Sequence, residues 1–519
     1  MHAVTRSIMN PRTQHDLDAF DALLARHRPF ADSDYLHEQL CVRYKRRLGA
    51  ISERLSVAAD LSRALERATP HCQYRVVGDP VVRHAIQQAL RQVVKGTHDG
   101  VPLEACEEIL RETVRHLSES RSGGPLESRA TDVGRLGTEP WHAWIWSESQ
   151  SDDVLGHVFR SVLHDNFPSE RVCAPRLADL ALLAKGAALL GALLPLCARS
   201  ALSHAHVVVL FDGQKASCSD FRVGGTIFLN REMLHDPWWV AEHLLHESLH
   251  QKLYDFRHTH SLLARDLSRE LSASPETLTI RSIWNVGRAD RSNHWDTFRA
   301  VAAFHVYVHL ALLWLQAERR TADLVMRFSV SEGSFMVVTQ RRTAFERAHY
   351  LGRRIKESAW QELGIAGQLL VDWLLSILDE IDPSPPPPES FYIHLVLERY
   401  VTEASMAASA KASPELGTPL LTLIDDEAEA LRRVLSAIHA ERADLDRLEG
   451  ALARRSDESP GAAFLRFRTE VAGIVRSLSP NGYELKRPSP TESTPANEVL
   501  QAMFERSTER LGPLLEGRQ

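Results

Sequence analysis

Apolar positions recur at three- and four-residue spacing through most of the chain, which predicts helices over residues 16–28, 35–69, 79–94, 152–163, 344–378, 391–410, 425–452 and 496–511. Two stretches are apolar almost all round: 177–197, and the run that begins near Trp295. The first carries Asp179, Lys185 and Pro195, so it reads as a buried helix and not as a membrane span. Strand patterning is sparse. HVVVLF at 206–211 and FRVGGTIFL at 221–229 read as strands, with Gly224-Gly225 a turn or bulge in the second. The expected fold is mainly α: a multi-helical metal-binding core with a small β element ahead of the H-E-x-x-H helix.

Three regions follow from the breaks in this pattern. Residues 1–120 form an N-terminal helical region, 137–381 the core, and 391–519 a C-terminal helical region. A glycine- and serine-rich stretch at 120–137 reads as linker, and DPSPPPP at 382–388 as a stiff connector. PWHAWIW at 140–146 reads as core or interface packing. The segment 258–274 reads as polar and helical.

The strongest chemical signal lies in DPWWVAEHLLHESLHQKLYDF, residues 236–256. Asp236 is a good N-cap and Pro237 suits the first helical position. His246 and His250 are four apart, so one helix face carries both imidazoles, with Glu247 beside them. Leu244, Leu245, Leu249, Leu253 and Phe256 cover much of the remaining circumference and predict burial. His243, His258 and His260 read as polar rim. In the later apolar helix His305 and His309 are again four apart, and two histidines in so apolar a setting need partners. One of them is expected to be a third metal ligand.

Composition narrows the function classes. A net charge of −7 offers no basic surface for nucleic acid. Six widely spaced cysteines without a C-x-x-C pair fit a reducing cytoplasm. No apolar signal-peptide core is present at the N-terminus, and no membrane association is expected.

The third ligand separates the chemistries open to this motif. The metzincin pattern fails, because Leu253 and Phe256 stand where glycine and histidine are needed. A gluzincin would take Glu270 as third zinc ligand and Glu247 as general base for peptide-bond hydrolysis. A non-catalytic peptide-binding protein with a degenerate motif is a further alternative. HESLHQKL, residues 246–253, resembles the H-E-x-x-H-x-K-L signature of the HEXXH-motif peptide-modification proteins associated with ribosomally synthesised, modified peptides. The strand FRVGGTIFLN, the region of Trp284 and Arg288, and Tyr307-Val308-His309-Leu310 are similar to that family too; the likeness spans about residues 177–379. The resemblance implies an iron(II)- and 2-oxoglutarate-dependent oxygenase that hydroxylates a side-chain β-carbon of a precursor peptide. His246, His250 and His309 would hold the metal, with His305 the alternative to His309. Glu247 would orient a ligand or metal-bound water, and Arg299 or Arg288, ahead of Arg291, would pair with the distal carboxylate of 2-oxoglutarate. The peptide is expected to be recognised partly by the flanking helical regions.

Overall fold

In the computed structural model, residues 13–96, 101–119, 134–136, 143–146, 154–265, 279–286, 293–330, 338–382, 384–387, 390–409, 414–453, 458–483, 485 and 495–516 are described. Helices dominate and strands are few, in agreement with the mainly α expectation. The chain divides into two compact units: Met1–Asp266 with His305–Val338 and Leu363–Ile377, and Leu267–Phe304 with Thr339–Glu362 and Leu378–Gln519. This division cuts across the three consecutive regions expected from sequence. The N-terminal helices share a unit with the H-E-x-x-H helix, because buried polar side chains on that helix find their partners there.

In the first unit, α1 (Gln14–Arg26), α2 (Ser33–Ile51), α3 (Ser56–Arg67), α4 (Pro70–Gly78), α5 (Pro80–Leu90) and α6 (Leu103–Ser118) come first. Helices α2 to α6 close around a core that includes Leu40, Tyr44, Leu61, Ile86 and Leu110. The expected helix over 35–69 is broken at residues 52–55. Next come α7 (Val154–Asn166), α8 (Leu177–Leu193) and α9 (Pro195–Leu202). The apolar run 177–197 is thus two helices, parted where Pro195 begins a new first turn.

The β element is larger than sequence patterning suggested. Its strands are β1 (Gly134–Leu136), β2 (Ala143–Ile145), β3 (Arg171–Val172), β4 (Val207–Asp212), β5 (Ser217–Cys218) and β6 (Thr226–Asn230). The order is β1-β2-β4-β6-β5, with β3 antiparallel to the far end of β4. Strand β4 runs parallel to β2 and to β6, pairing Val207 with Thr226 through Phe211 with Asn230. Both central strands are buried on both faces, so they read as continuous apolar runs and lack alternation. The aromatic segment near Trp144 supplies β2, which packing alone had not suggested; Trp144 and Trp146 join Phe159, Phe211 and Phe228 in the core against α7.

Helix α10 (Pro237–Thr259) follows β6, and α11 (Thr297–Arg319) comes later. Asp236 caps α10 by accepting from the Trp238 amide at 2.8 Å. The helix stops at Thr259, where His260 turns extended, so the helical reading of 258–274 fails at its start; residues 266–278 lie outside the described ones. Among the described residues α11 is the one helix long and apolar enough to cross a membrane, and 78% of its most apolar stretch is buried in the fold.

In the second unit, Ile393–Ser409, Pro414–Ala437, Arg442–Leu452, Pro460–Leu478 and Pro495–Glu516 form a helical bundle around Leu397, Leu431, Phe464, Phe467 and Phe504. His439 adopts φ 49° in the break that splits the helix expected over 425–452. Arg468 is fully buried at the centre, donating to Glu427 (2.9 Å), Glu403 (3.2 Å) and the Tyr400 carbonyl (2.9 Å). A β7–β8 hairpin pair, Ile280–Arg281 with His294–Trp295, also belongs to this unit.

Candidate metal site on the HExxH helix

A stripe of polar residues at four-residue spacing fastens α10, Glu247 and Gln251 to the sheet and Asp255 to Arg83 and His204. Glu247, Gln251 and Asp255 are all buried. Gln251 completes the strand end: its Oε1 accepts from the Gly225 amide and its Nε2 donates to the Thr226 carbonyl, each at 2.7 Å. Gly225 makes that turn possible, with φ +83° and His206 Cδ2 only 2.9 Å from where a Cβ would sit. Glu247 Oε1 accepts from Ser217 Oγ of β5 at 2.6 Å. Its Oε2 is buried with no hydrogen-bond partner among the described residues, and burial raises its pKa.

His246 and His250 lie on the partly exposed side of α10. Their Nε2 atoms are 3.2 Å apart, and His246 Nε2 is 3.9 Å from Glu247 Oε1. His243, one turn earlier, donates from Nδ1 to the Trp239 carbonyl at 2.9 Å; burial takes its pKa down to about 4.

His309 is not brought to this pair. Its Nδ1 donates to the His305 carbonyl at 2.8 Å, and burial lowers its pKa to about 4 against the opposing pull of the His305 and Leu24 backbones. His305 differs. Its Nδ1 is buried without a hydrogen-bond partner among the described residues, and its pKa is driven well down, first by burial, then by His309, Lys252 and His250. Among the described residues no group of three His, Cys, Asp or Glu side chains is placed to hold a metal ion. The structure therefore assembles two of the three expected ligands.

Arg299 is exposed on the first turn of α11, its guanidinium 4.9 Å over the Trp295 ring, and it falls in the second unit. Arg288, Arg291 and Glu270 lie outside the described residues.

A buried chain of hydrogen bonds behind the motif had no counterpart in the sequence reading. Asp255 receives Arg83 at 2.8 Å and His204 Nδ1 at 2.7 Å. His204 Nε2 meets Ser33 Oγ at 3.1 Å, and Ser33 Oγ meets Ser200 Oγ at 2.7 Å. Lys252 Nζ donates to Ser200 Oγ and to the Ala31 carbonyl, both at 2.6 Å. Burial alone would raise the Asp255 pKa, but Arg83 and His204 outweigh it and hold the carboxyl far below the usual range. Burial takes Lys252 down to about 8. Ser33, His204 and Asp255 copy the order of a nucleophile, base and orienting acid, yet all three are buried, so no substrate carbonyl reaches the serine. Their work is structural. A readable signal did exist: charged and amide side chains on a helix predicted to be buried require partners.

No protein-family model matches this chain, and no curated protein matches it.

Proposed function

We infer that the protein is an iron(II)- and 2-oxoglutarate-dependent oxygenase that hydroxylates a side-chain β-carbon of a ribosomally made precursor peptide. The observation that carries the reading is the 3.2 Å separation of His246 Nε2 and His250 Nε2. Two nitrogens bound at about 2.1 Å to one ion, at angles between square and tetrahedral, stand roughly 3.0–3.4 Å apart. The pair therefore fits two neighbouring positions on one metal. Neither His305 nor His309 joins the pair as a group of three among the described residues; His305 is assigned as third ligand because its buried Nδ1 has no hydrogen-bond partner there, whereas His309 Nδ1 is held by the His305 carbonyl. When bound, iron with 2-oxoglutarate and dioxygen supplies oxidation of a C–H bond, giving succinate and carbon dioxide as co-products. His246 and His250 would hold the ion. Glu247 ties the motif to the sheet through Ser217 and is a positioning residue. Its burial and its hydrogen bond to β5 support that role over a peptidase base, which must face water in an open cleft. The six free cysteines support a cytoplasmic setting.

The test uses purified protein loaded anaerobically with iron(II), then given 2-oxoglutarate, oxygen and a candidate peptide encoded nearby. One oxygen should be added to the peptide, with iron-dependent succinate formation. Two peptide fragments formed with zinc, without 2-oxoglutarate, would assign a metallopeptidase instead.

A further inference from the structure

Within the second unit lies a cleft with a volume of about 430 Å³, a size typical of ligand sites. Its lining combines four arginines (Arg281, Arg353, Arg354 and Arg399) with two glutamates, Glu357 and Glu505. Arg354 is paired with Glu357 at 2.7 Å and Arg353 donates to the Pro387 carbonyl at 3.1 Å. Arg281 is exposed at the mouth, where its carbonyl, not its guanidinium, receives the Tyr350 hydroxyl. Arg399 lies deeper. It is 5% exposed and ion-paired with Glu403 Oε1 at 3.6 Å, a distance that leaves its Nε without a hydrogen bond among the described residues. The Tyr392 hydroxyl, on a residue 4% exposed, is likewise buried without a hydrogen-bond partner among the described residues. Two deep donors without a hydrogen bond in one lining call for an acceptor. The positive excess also stands out in a chain of net charge −7.

The remaining walls are aromatic. Tyr350 and Tyr392 meet edge to face at 5.4 Å, and Phe391 and Phe504 lie 6.4 Å apart. Such surfaces take an apolar side chain at small entropic cost. Lys or Arg ligands are disfavoured by the arginine excess.

We propose that this cleft binds an acidic segment of a peptide, its carboxylate held by Arg281 and Arg399 and its neighbouring apolar side chain seated on Tyr350, Tyr392 and Phe504. That the ligand is a peptide and not a free anion rests on the proposed activity; the carboxylate preference rests on the cleft alone.

The experiment is fluorescence anisotropy on the full chain with a labelled short peptide alternating glutamate and phenylalanine, and with its glutamine-for-glutamate counterpart. The acidic peptide should bind about tenfold tighter or better, and salt should weaken it. Arg281→Gln, at an exposed position, should remove most of that preference; Arg399→Met should do the same, with its fold checked by circular dichroism. His246→Ala should bind the probe like the parent chain. Equal binding of both peptides, or an Arg281→Gln variant with unchanged preference, overturns the proposal. Competition by free glutamate or inorganic phosphate at the peptide's own concentration overturns it in favour of a small anion. Loss of probe binding in His246→Ala overturns it by moving the peptide to the metal face. Arginine-dependent peptide binding without any oxygenation leaves the cleft standing and removes the proposed activity.

Discussion

Replacing Asp255 with asparagine isolates the ion pair that joins the H-E-x-x-H helix to α5. Asp255 is 1% and Arg83 3% exposed, so neither charge has water to fall back on. Asparagine keeps the shape but has a single acceptor oxygen for two donors, Arg83 and His204 Nδ1. Its amide group then faces one of those N–H groups. Removing one partner of a buried pair costs about 3–5 kcal/mol, because the remaining charge stays buried. With a urea dependence of roughly 3 kcal/mol per molar, the unfolding midpoint of the first unit should fall by about 1–1.7 M. Tyrosine and tryptophan fluorescence against urea reads this directly. Arg83→Met combined with Asp255→Asn should cost less than the sum of the two single changes, by about 2–3 kcal/mol. A single-variant loss under about 1 kcal/mol, or additivity within about 0.5 kcal/mol, would refute the view that this pair fastens the helix.

Stability should fall in acid. Asp255 is depressed in the folded state, so its contribution is complete above the unfolded carboxyl value near 4 and declines below it. His37, His204 and His206 are depressed by burial, so their contribution is present above about 6.5 and declines as pH drops; thermal midpoints should fall between about pH 7 and 5 from the histidines and again between about pH 4 and 2 from Asp255. Alanine at His246 or His250 should abolish metal binding measured by elemental analysis, and His305→Ala should weaken it more than His309→Ala; the reverse order would restore His309 as ligand. Gln251→Leu strands the Gly225 amide and Thr226 carbonyl, and should cost about 2–4 kcal/mol in urea unfolding. Gly186→Ala drives a Cβ to 2.3 Å from Val240 Cγ1 and should cost about 1–3 kcal/mol or more in urea unfolding; Val240→Ala should not rescue it, because Val240 Cβ also lies only 2.5 Å away.

What the sequence revealed follows physical lines. Helix α10 was legible from end to end of its motif because cap, first-turn proline and apolar faces all agree locally. The central strands were legible from their β-branched runs. Strand β2 was not, since AWI in an aromatic cluster packs equally well in a helix or a strand, and only pairing with β4 decides. Helix breaks at 52–55 and near His439 were missed because neither site carries proline. Of the candidate site, the His246–His250 pair was legible because helical geometry alone sets it. The third ligand was not: choosing between His305 and His309 depends on which ring the backbone already occupies. The partners of Lys252 and Asp255 come from segments 51 to 221 residues away, a pairing no local pattern encodes.

The chain of hydrogen bonds from Lys252 to Asp255 fixes the proton on His204. The Ser200 hydroxyl has two acceptors in reach, the Ala31 carbonyl at 3.0 Å and Ser33 Oγ at 2.7 Å, and the Ser33 hydroxyl has the Ser200 carbonyl at 2.9 Å and His204 Nε2 at 3.1 Å. The Asp255 carboxylate, 2.7 Å from Nδ1, can only accept. A neutral His204 then has its single N–H on Nδ1, aimed at the carboxylate. Such an arrangement selects one imidazole tautomer without any metal nearby. Its signature is an Nδ1 proton of His204 displaced far downfield in the proton spectrum and slow to exchange with solvent, and Ser33→Ala should shift that resonance by removing the hydroxyl 3.1 Å from Nε2.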